Sequence, residues 1–460
     1  MFSNLSRDKA FYRTVRALTW PIITQGLMNN SLAFVDSFML GNLGERYLSA
    51  IQLANTVFSI AMLSMSGLQS GSAVLIAQYH GKKDTASINK VIGIGVMLSF
   101  CISMLIAIPV FFAPVQVYSL TTNDVELAAI AAEYGRIAAF SIVFNAISVI
   151  YLSAQRSMEN PKLFMRVMVS SMTLKTFLNW VFIYGMFGVP AMGIRGAATA
   201  TLLARTFEFL LTSRFALFNK QFKLQFREMF RPGKTITMDY IRYSLPVVIN
   251  ESIWGFGSSM YTIILGHLPN AMEALASYAI IMNVERMVSS FHTSLSHVAA
   301  MLVGKELGAD RKDSAYQTGL TMATLTAGMG ACSGSLIALL SQILILPYVF
   351  PFFGASASTQ AVGSSMILIA ALSMPFRAMN FGGIVGVLRG GGDVKAAVAI
   401  DLGAMYGVGI PLTWLAGMYF GAPVPVVFFA MQMDEIAKAV MVVLRLRSKK
   451  WLRNITREAH

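Results

Sequence analysis

The chain has 460 residues, 55% of them hydrophobic and only 13% charged, with a formal net charge of +14. Soluble domains carry about 25% charged residues, and no single soluble core of this size buries apolar runs of about 20 residues repeated from end to end. Composition therefore excludes a water-soluble globular protein and points to an all-α polytopic membrane protein.

Twelve membrane-crossing helices are expected, at 16–40, 52–78, 91–113, 127–153, 164–186, 194–217, 241–266, 275–303, 316–347, 360–388, 396–420 and 424–446. The first follows the charged stretch from Arg7 to Arg16 and is not followed by a small-residue cleavage site, so it reads as a retained span and not a signal peptide. It carries Asp36 between Leu32-Ala33-Phe34-Val35 and Phe38-Met39-Leu40. A charge at bilayer depth costs several kcal/mol by insertion scales, so Asp36 invites a function. Gln25 and Asn29 share its helix face and extend it into a polar stripe, and Pro21 at the end of that stripe permits a bend.

Span five adds Lys175 and Asn179, one turn apart on one face, and span six adds Thr201. Arg205 and Glu208, three apart in span six, read as a structural pair. The basic stretch 218–240, broken at Arg231-Pro232-Gly233, reads as a linker between a first lobe at 1–217 and a second at 241–446.

Span seven opens with Pro246 and carries Glu251 beside Asn250 and Trp254, an aromatic–carboxylate combination that suits an organic cation. Glu285 adjoins Arg286 in span eight, and Glu435 lies three residues from Lys438 in span twelve; both read as structural pairs. Arg377 and Asp434 are further charges at span depth, and Asp401 in span eleven has no local partner, so it is a candidate cavity residue. The many methionines and phenylalanines are expected mostly at lipid and core positions, with those in a cavity offering an adaptable apolar surface.

The +14 charge follows the positive-inside rule and calls for no nucleic acid. With the N-terminus inside, the inner loops and the basic tail 447–460 hold nearly all the lysines and arginines, and the outer loops show only Arg46 and Arg195. Both termini are then cytoplasmic. Cys101 and Cys332 lack metal-ligand spacing, and His292 and His297, five apart, share no face for a metal. Gly390-Gly391-Gly392-Asp393 follows a helix and not a strand, so it is no dinucleotide loop. A Walker A lysine motif, a Gly-x-Ser-x-Gly elbow, a paired-histidine motif and an aspartate dyad are all missing, which leaves no footing for an ATPase or an intramembrane enzyme.

The halves repeat. "WPIITQGLMNNSLAFVDSFMLGNLG" from Trp20 lies without gaps on "LPVVINESIWGFGSSMYTIILGHLP" from Leu245, putting Pro21 on Pro246 and Gly41 on Gly266. "QRSMENPK" matches "LRGGGDVK", pairing Arg156 with Arg389 and Asn160 with Asp393. Six spans separate the copies, so they run the same way across the membrane, which is a parallel repeat of two pseudo-symmetric six-helix bundles. Two such bundles are expected to rock about a cavity, with Pro21 and Pro246 as hinges.

With "FVDSFMLGNLG", "LVGKELGADRKDSA", "GVLRGGGD" and "RLRSKKWLRN" in this order, the chain resembles the multidrug and toxic compound extrusion (MATE) transporters of bacterial type over nearly its whole length. The resemblance implies two six-helix bundles in the cell (inner) membrane. It also implies exchange of drugs and toxic compounds, often organic cations, for protons or sodium, with no cofactor; a monomer is expected. In many relatives the span-one aspartate, two span-five positions read as asparagine and aspartate, and a span-six threonine form a cation site. Here the corresponding residues are Asp36, Lys175, Asn179 and Thr201.

The lysine departs from that pattern, since it neutralises Asp36 and takes the space of a sodium ion, which favours protons. The alternative is a static Asp36–Lys175 pair that only locks the bundle. Many relatives also carry a glutamate at the place of Glu251, which extends the ion-coupling set to the second lobe. Within transport, the rival reading is a flippase for lipid-linked sugars. It would need several basic cavity residues, and the candidates Lys175, Arg205, Arg286 and Arg377 are few and mostly beside acids.

Overall fold

The computed structural model describes residues 8–41, 43–219 and 222–457, and every regular element among them is helical. Twelve rods follow in order: α1 (Lys9–Gly41), α2 (Glu45–Lys82), α3 (Thr85–Phe112), α4 (Val125–Ala138 and Ser141–Ser157), α5 (Pro161–Tyr184) and α6 (Gly193–Phe218); then α7 (Lys234–Gly266), α8 (Ala271–Gly308), α9 (Lys312–Phe352), α10 (Ala357–Leu388), α11 (Val394–Tyr419) and α12 (Val424–Arg447). Short helices at Pro114–Ser119 and Phe226–Phe230 lie between them. Five rods, α2, α3, α9, α10 and α11, are individually long and apolar enough to cross a membrane, and the bent α4 makes a sixth. Each of the others carries a charge inside its apolar run: Asp36, Lys175, Glu208, Glu251, Glu285 and Lys438 in chain order.

Local chemistry sets the ends. Asp84 caps α3 by accepting the Ser87 amide at 3.0 Å, Asp124 caps α4 through the Glu126 and Leu127 amides, and Ser356 caps α10 through Thr359. The rods outrun the expected apolar stretches, α8 covering 38 residues where 275–303 was expected, because a helix continues past the bilayer once its polar end is solvated. The expected span at 127–153 is bent by 50° between Ala138 and Ser141, with Phe140 at the bend against Phe111. Among the described residues, four stretches widen to π-helix: Ser341–Val349, Phe381–Leu388, Met405–Gly409 and Leu415–Tyr419.

Two compact units result, Trp20–Val248 and Ile249–His460 joined by the chain start up to Thr19. In the first, Ala50, Ala54, Ala61 and Met65 form a helical stripe on α2 that meets Ala107 and Val110 of α3 and Ala128, Ala131 and Ala132 of α4. Such small residues let membrane helices approach closely. In the second, Tyr261 and Leu265 of α7, Ile281 of α8, Ile367 and Met374 of α10 and Phe428 of α12 share one core.

The expected linker 218–240 is fastened down where described. Asn89 of α3, fully buried, donates to the Lys223 carbonyl at 3.4 Å and accepts the Gln225 amide at 3.0 Å. Lys90 pairs with Glu228 at 3.4 Å, and a Cβ on Gly93 would lie 2.1 Å from the Met229 carbonyl oxygen. α7 starts at Lys234, so the division between units falls inside α7 and inside α1, beside Pro246 and Pro21.

Candidate functional site

Two collections of buried charge, one in each unit, hold the expected charged site residues. In the unit of residues 20–248, α1 and α5 bring Asp36, Lys175 and Asn179 together. The Lys175 Nζ donates to Asp36 Oδ2 at 2.6 Å, and the Asn179 Nδ2 donates to Oδ1 at 2.9 Å. Each carboxylate oxygen thus has its own donor. Asp36 and Asn179 are buried, and Lys175 is half-buried. One turn beyond Asn179, the Tyr184 hydroxyl donates to the Met39 carbonyl at 3.0 Å and ties the same two helices again.

Thr201 lies outside this cluster. Its hydroxyl donates to the Ala197 carbonyl at 2.9 Å and lies 3.5 Å from the Tyr134 hydroxyl, and among the described residues no hydrogen bond joins it to Asp36. Gln25 is half-buried with its Oε1 unpartnered, and Asn29 is exposed. Pro21 and Pro246 each stand inside an unbroken helix. The Arg205–Glu208 pair forms at 2.5 Å, and Glu208, fully buried, also accepts from Asn145 at 3.1 Å and Ser171 at 3.2 Å.

The second collection lines a cavity of about 370 Å³ in the unit from Ile249 onward. It holds four expected residues, Asn250, Glu251, Trp254 and Asp401. Glu251 accepts from Arg389 at 3.2 Å, and Asp401 accepts from Asn250 at 3.0 Å and pairs with Lys438 at 3.3 Å. Lys438 also reaches Asp434 at 3.2 Å and Glu435 at 3.8 Å. Arg377 donates to Glu285 and to the Gln432 Oε1, the latter at 3.2 Å. Adjacency pointed to Arg286 as the partner of Glu285, and packing brings Arg377 of α10 onto it.

Glu251, Glu285, Asp401, Asp434 and Glu435 line this space with Arg286, Arg377, Arg389 and Lys438, leaving one carboxylate in excess. Trp254, Tyr261, Met282, Met405 and Met431 supply aromatic and thioether walls. Tyr261, Asn380, Arg389, Gln432 and Asp434 were not among the expected site residues. Amides inside apolar spans, such as Asn380 and Gln432, were a usable signal. Arg389 was not legible, because it stands where the apolar run ends, yet the helix carries it on into a 4% exposed position.

Helices with charge collected at membrane depth and no nucleotide motif define a polytopic transporter. The MatE family profile matches residues 21–181 and again 246–415, and the chain belongs to that family, the MATE transporters. The two matches open on Pro21 and Pro246, the register of the internal repeat. The chain is 24% identical over 447 residues to the uncharacterized transporter YisQ of Bacillus subtilis, covering 97% of this chain and 96% of the relative. It is 22% identical to a probable multidrug resistance protein, NorM, of Agrobacterium fabrum, covering 94% and 93%. The fold matches the crystal structure of the MATE transporter VcmN of Vibrio cholerae, in a single-residue variant, with a TM-score of 0.82, 18% identity and coverage of 96% and 98%.

Proposed function

We propose that the chain is a secondary antiporter that exports amphipathic, often cationic compounds in exchange for protons, by alternating access of its two lobes. It would work in the cell's inner membrane with both termini in the cytoplasm. One observation carries the reading: Asp36, 9% exposed in an apolar helix, has one oxygen on Lys175 and the other on Asn179. The ionised carboxylate needs both donors, and the protonated one needs neither. Proton binding therefore changes what holds α1 to α5, and a group with that property can shift a helix between two arrangements.

Sodium is the weaker partner here, because the Lys175 ammonium already stands 2.6 Å from Oδ2, where a dehydrated cation would bind. In the other lobe the excess carboxylate and the Trp254 and Tyr261 rings suit an organic cation, and Glu251 offers a second protonatable group. The names of relatives as multidrug resistance proteins agree with this substrate class. The flippase reading weakens, since at span depth Lys175, Arg205, Arg377 and Arg389 each face a carboxylate and so do not stand bare for a pyrophosphate.

Everted vesicles test the reading. Ethidium and other cationic dyes should accumulate when a proton gradient is imposed, and expressing cells should resist them. Unchanged accumulation across a broad panel of cationic drugs would overturn the export reading.

A further inference from the structure

The Gly390-Gly391-Gly392-Asp393 stretch follows a helix and not a strand, and the structure gives each of its residues a neighbour. A Cβ on Gly390 would lie 2.7 Å from the Ala300 backbone of α8. On Gly391 it would lie 2.5 Å from the Trp451 ring and 2.6 Å from the Trp451 carbonyl oxygen. Gly392, with φ at 80°, takes a backbone conformation that side chains disfavour and lies against Arg453 and Ile455. Asp393, 1% exposed, accepts from Arg445 at 2.7 Å and pairs with Arg453 at 3.2 Å. The tail thus folds back onto the end of α10. Trp451 is fully buried, stacks on Tyr316 and donates from its indole to the Leu446 carbonyl at 3.0 Å, and the Arg453 amide donates to the Gly391 carbonyl at 3.1 Å.

Arg389, the residue just before the three glycines, is the partner of Glu251. Its backbone is followed at once by a turn in which both neighbouring surfaces, α8 and the tail, leave no room for a side chain. We propose that the docked tail, through Trp451 and Asp393, positions Arg389 against Glu251, so that the tail sets how readily Glu251 exchanges its proton during transport. The proposal rests on the reading of Glu251 as a coupling group. The other charged groups around the pair are Arg286 of α8, Arg377 of α10, Asp401 of α11, and Asp434, Glu435 and Lys438 of α12. Arg377 is held by Glu285, and Lys438 by Asp401 and Asp434, while Arg389 is the member of the group that directly precedes the glycine turn against the tail.

The test is the pH profile of proton-driven dye transport in proteoliposomes holding the full-length protein. Arg389→Gln and Trp451→Ala should move the profile in the same direction, by about one pH unit, a tenfold change in proton affinity. The double variant should move it no further than Arg389→Gln alone, since coupled residues are non-additive. Trp451→Phe should restore the wild-type profile. A wild-type profile for Trp451→Ala, or shifts that add in the double variant, would overturn the proposal. Should Trp451→Ala fail to fold, Arg453→Ala, which loosens the clasp from an exposed side chain, carries the same test, and a wild-type profile there overturns the proposal equally. Glu251→Gln separates the two readings. An unchanged profile removes Glu251 from coupling and the tail proposal with it, whereas a shifted one beside an unchanged Trp451→Ala removes only the tail's role.

Discussion

Asp36 and Glu208 show how two buried carboxylates in one lobe come to different uses. Glu208, without exposure, is held by Arg205, Asn145 and Ser171, three donors from three helices. Removing one partner of such a buried pair costs about 3–5 kcal/mol, because the other charge stays behind unpaired. Glu208→Ala should accordingly lower the thermal unfolding midpoint in detergent clearly. Asp36→Asn keeps a polar group of the same shape at a site where Lys175 retains 28% side-chain exposure and can turn to water. That variant should unfold near the wild-type temperature while losing gradient-driven export. Lys175→Ala removes one of the two donors on the Asp36 carboxylate, so the pH profile of transport should shift. A profile left in place by Lys175→Ala would mark the pair as a static lock.

At the scale of single helices, much could be read from the chain and some could not. The Asp36, Lys175 and Asn179 cluster was legible because each is a polar residue in an apolar run and the last two are one turn apart. Thr201 shows the limit: a hydroxyl in a helix satisfies itself on the carbonyl four residues back, here Ala197, and nothing in the sequence distinguishes that from a site role. Pairing across helices was not legible for Glu285, where adjacency suggested Arg286 and packing supplies Arg377. Asp401 lacked a local partner and finds two at a distance, Asn250 and Lys438.

The stretch after α6 read as a linker from its charge and its Arg-Pro-Gly break, yet Asn89 fastens its described part to α3. Asn89→Ala leaves the Gln225 amide without its acceptor, so limited proteolysis between 222 and 233 should speed up several-fold, and wild-type cleavage rates would contradict the role given to Asn89.

For the whole molecule, duplication was the most readable feature. The ungapped match of Trp20 on Leu245 returns in the two stretches of MatE similarity, and the twelve rods follow the twelve apolar runs. What duplication hides is divergence between the copies. The first unit holds compact ion pairs, each with an amide, Asp36–Lys175 with Asn179 and Glu208–Arg205 with Asn145, and the second surrounds a cavity with nine charged groups on five helices. The most direct measurement reconstitutes the protein in liposomes and imposes proton and sodium gradients separately while following a cationic dye. Dye movement driven by the proton gradient, absent under sodium alone and abolished by Asp36→Asn in folded protein, is the predicted result. Movement driven by sodium alone, or at the wild-type rate by Asp36→Asn, would contradict proton coupling through Asp36.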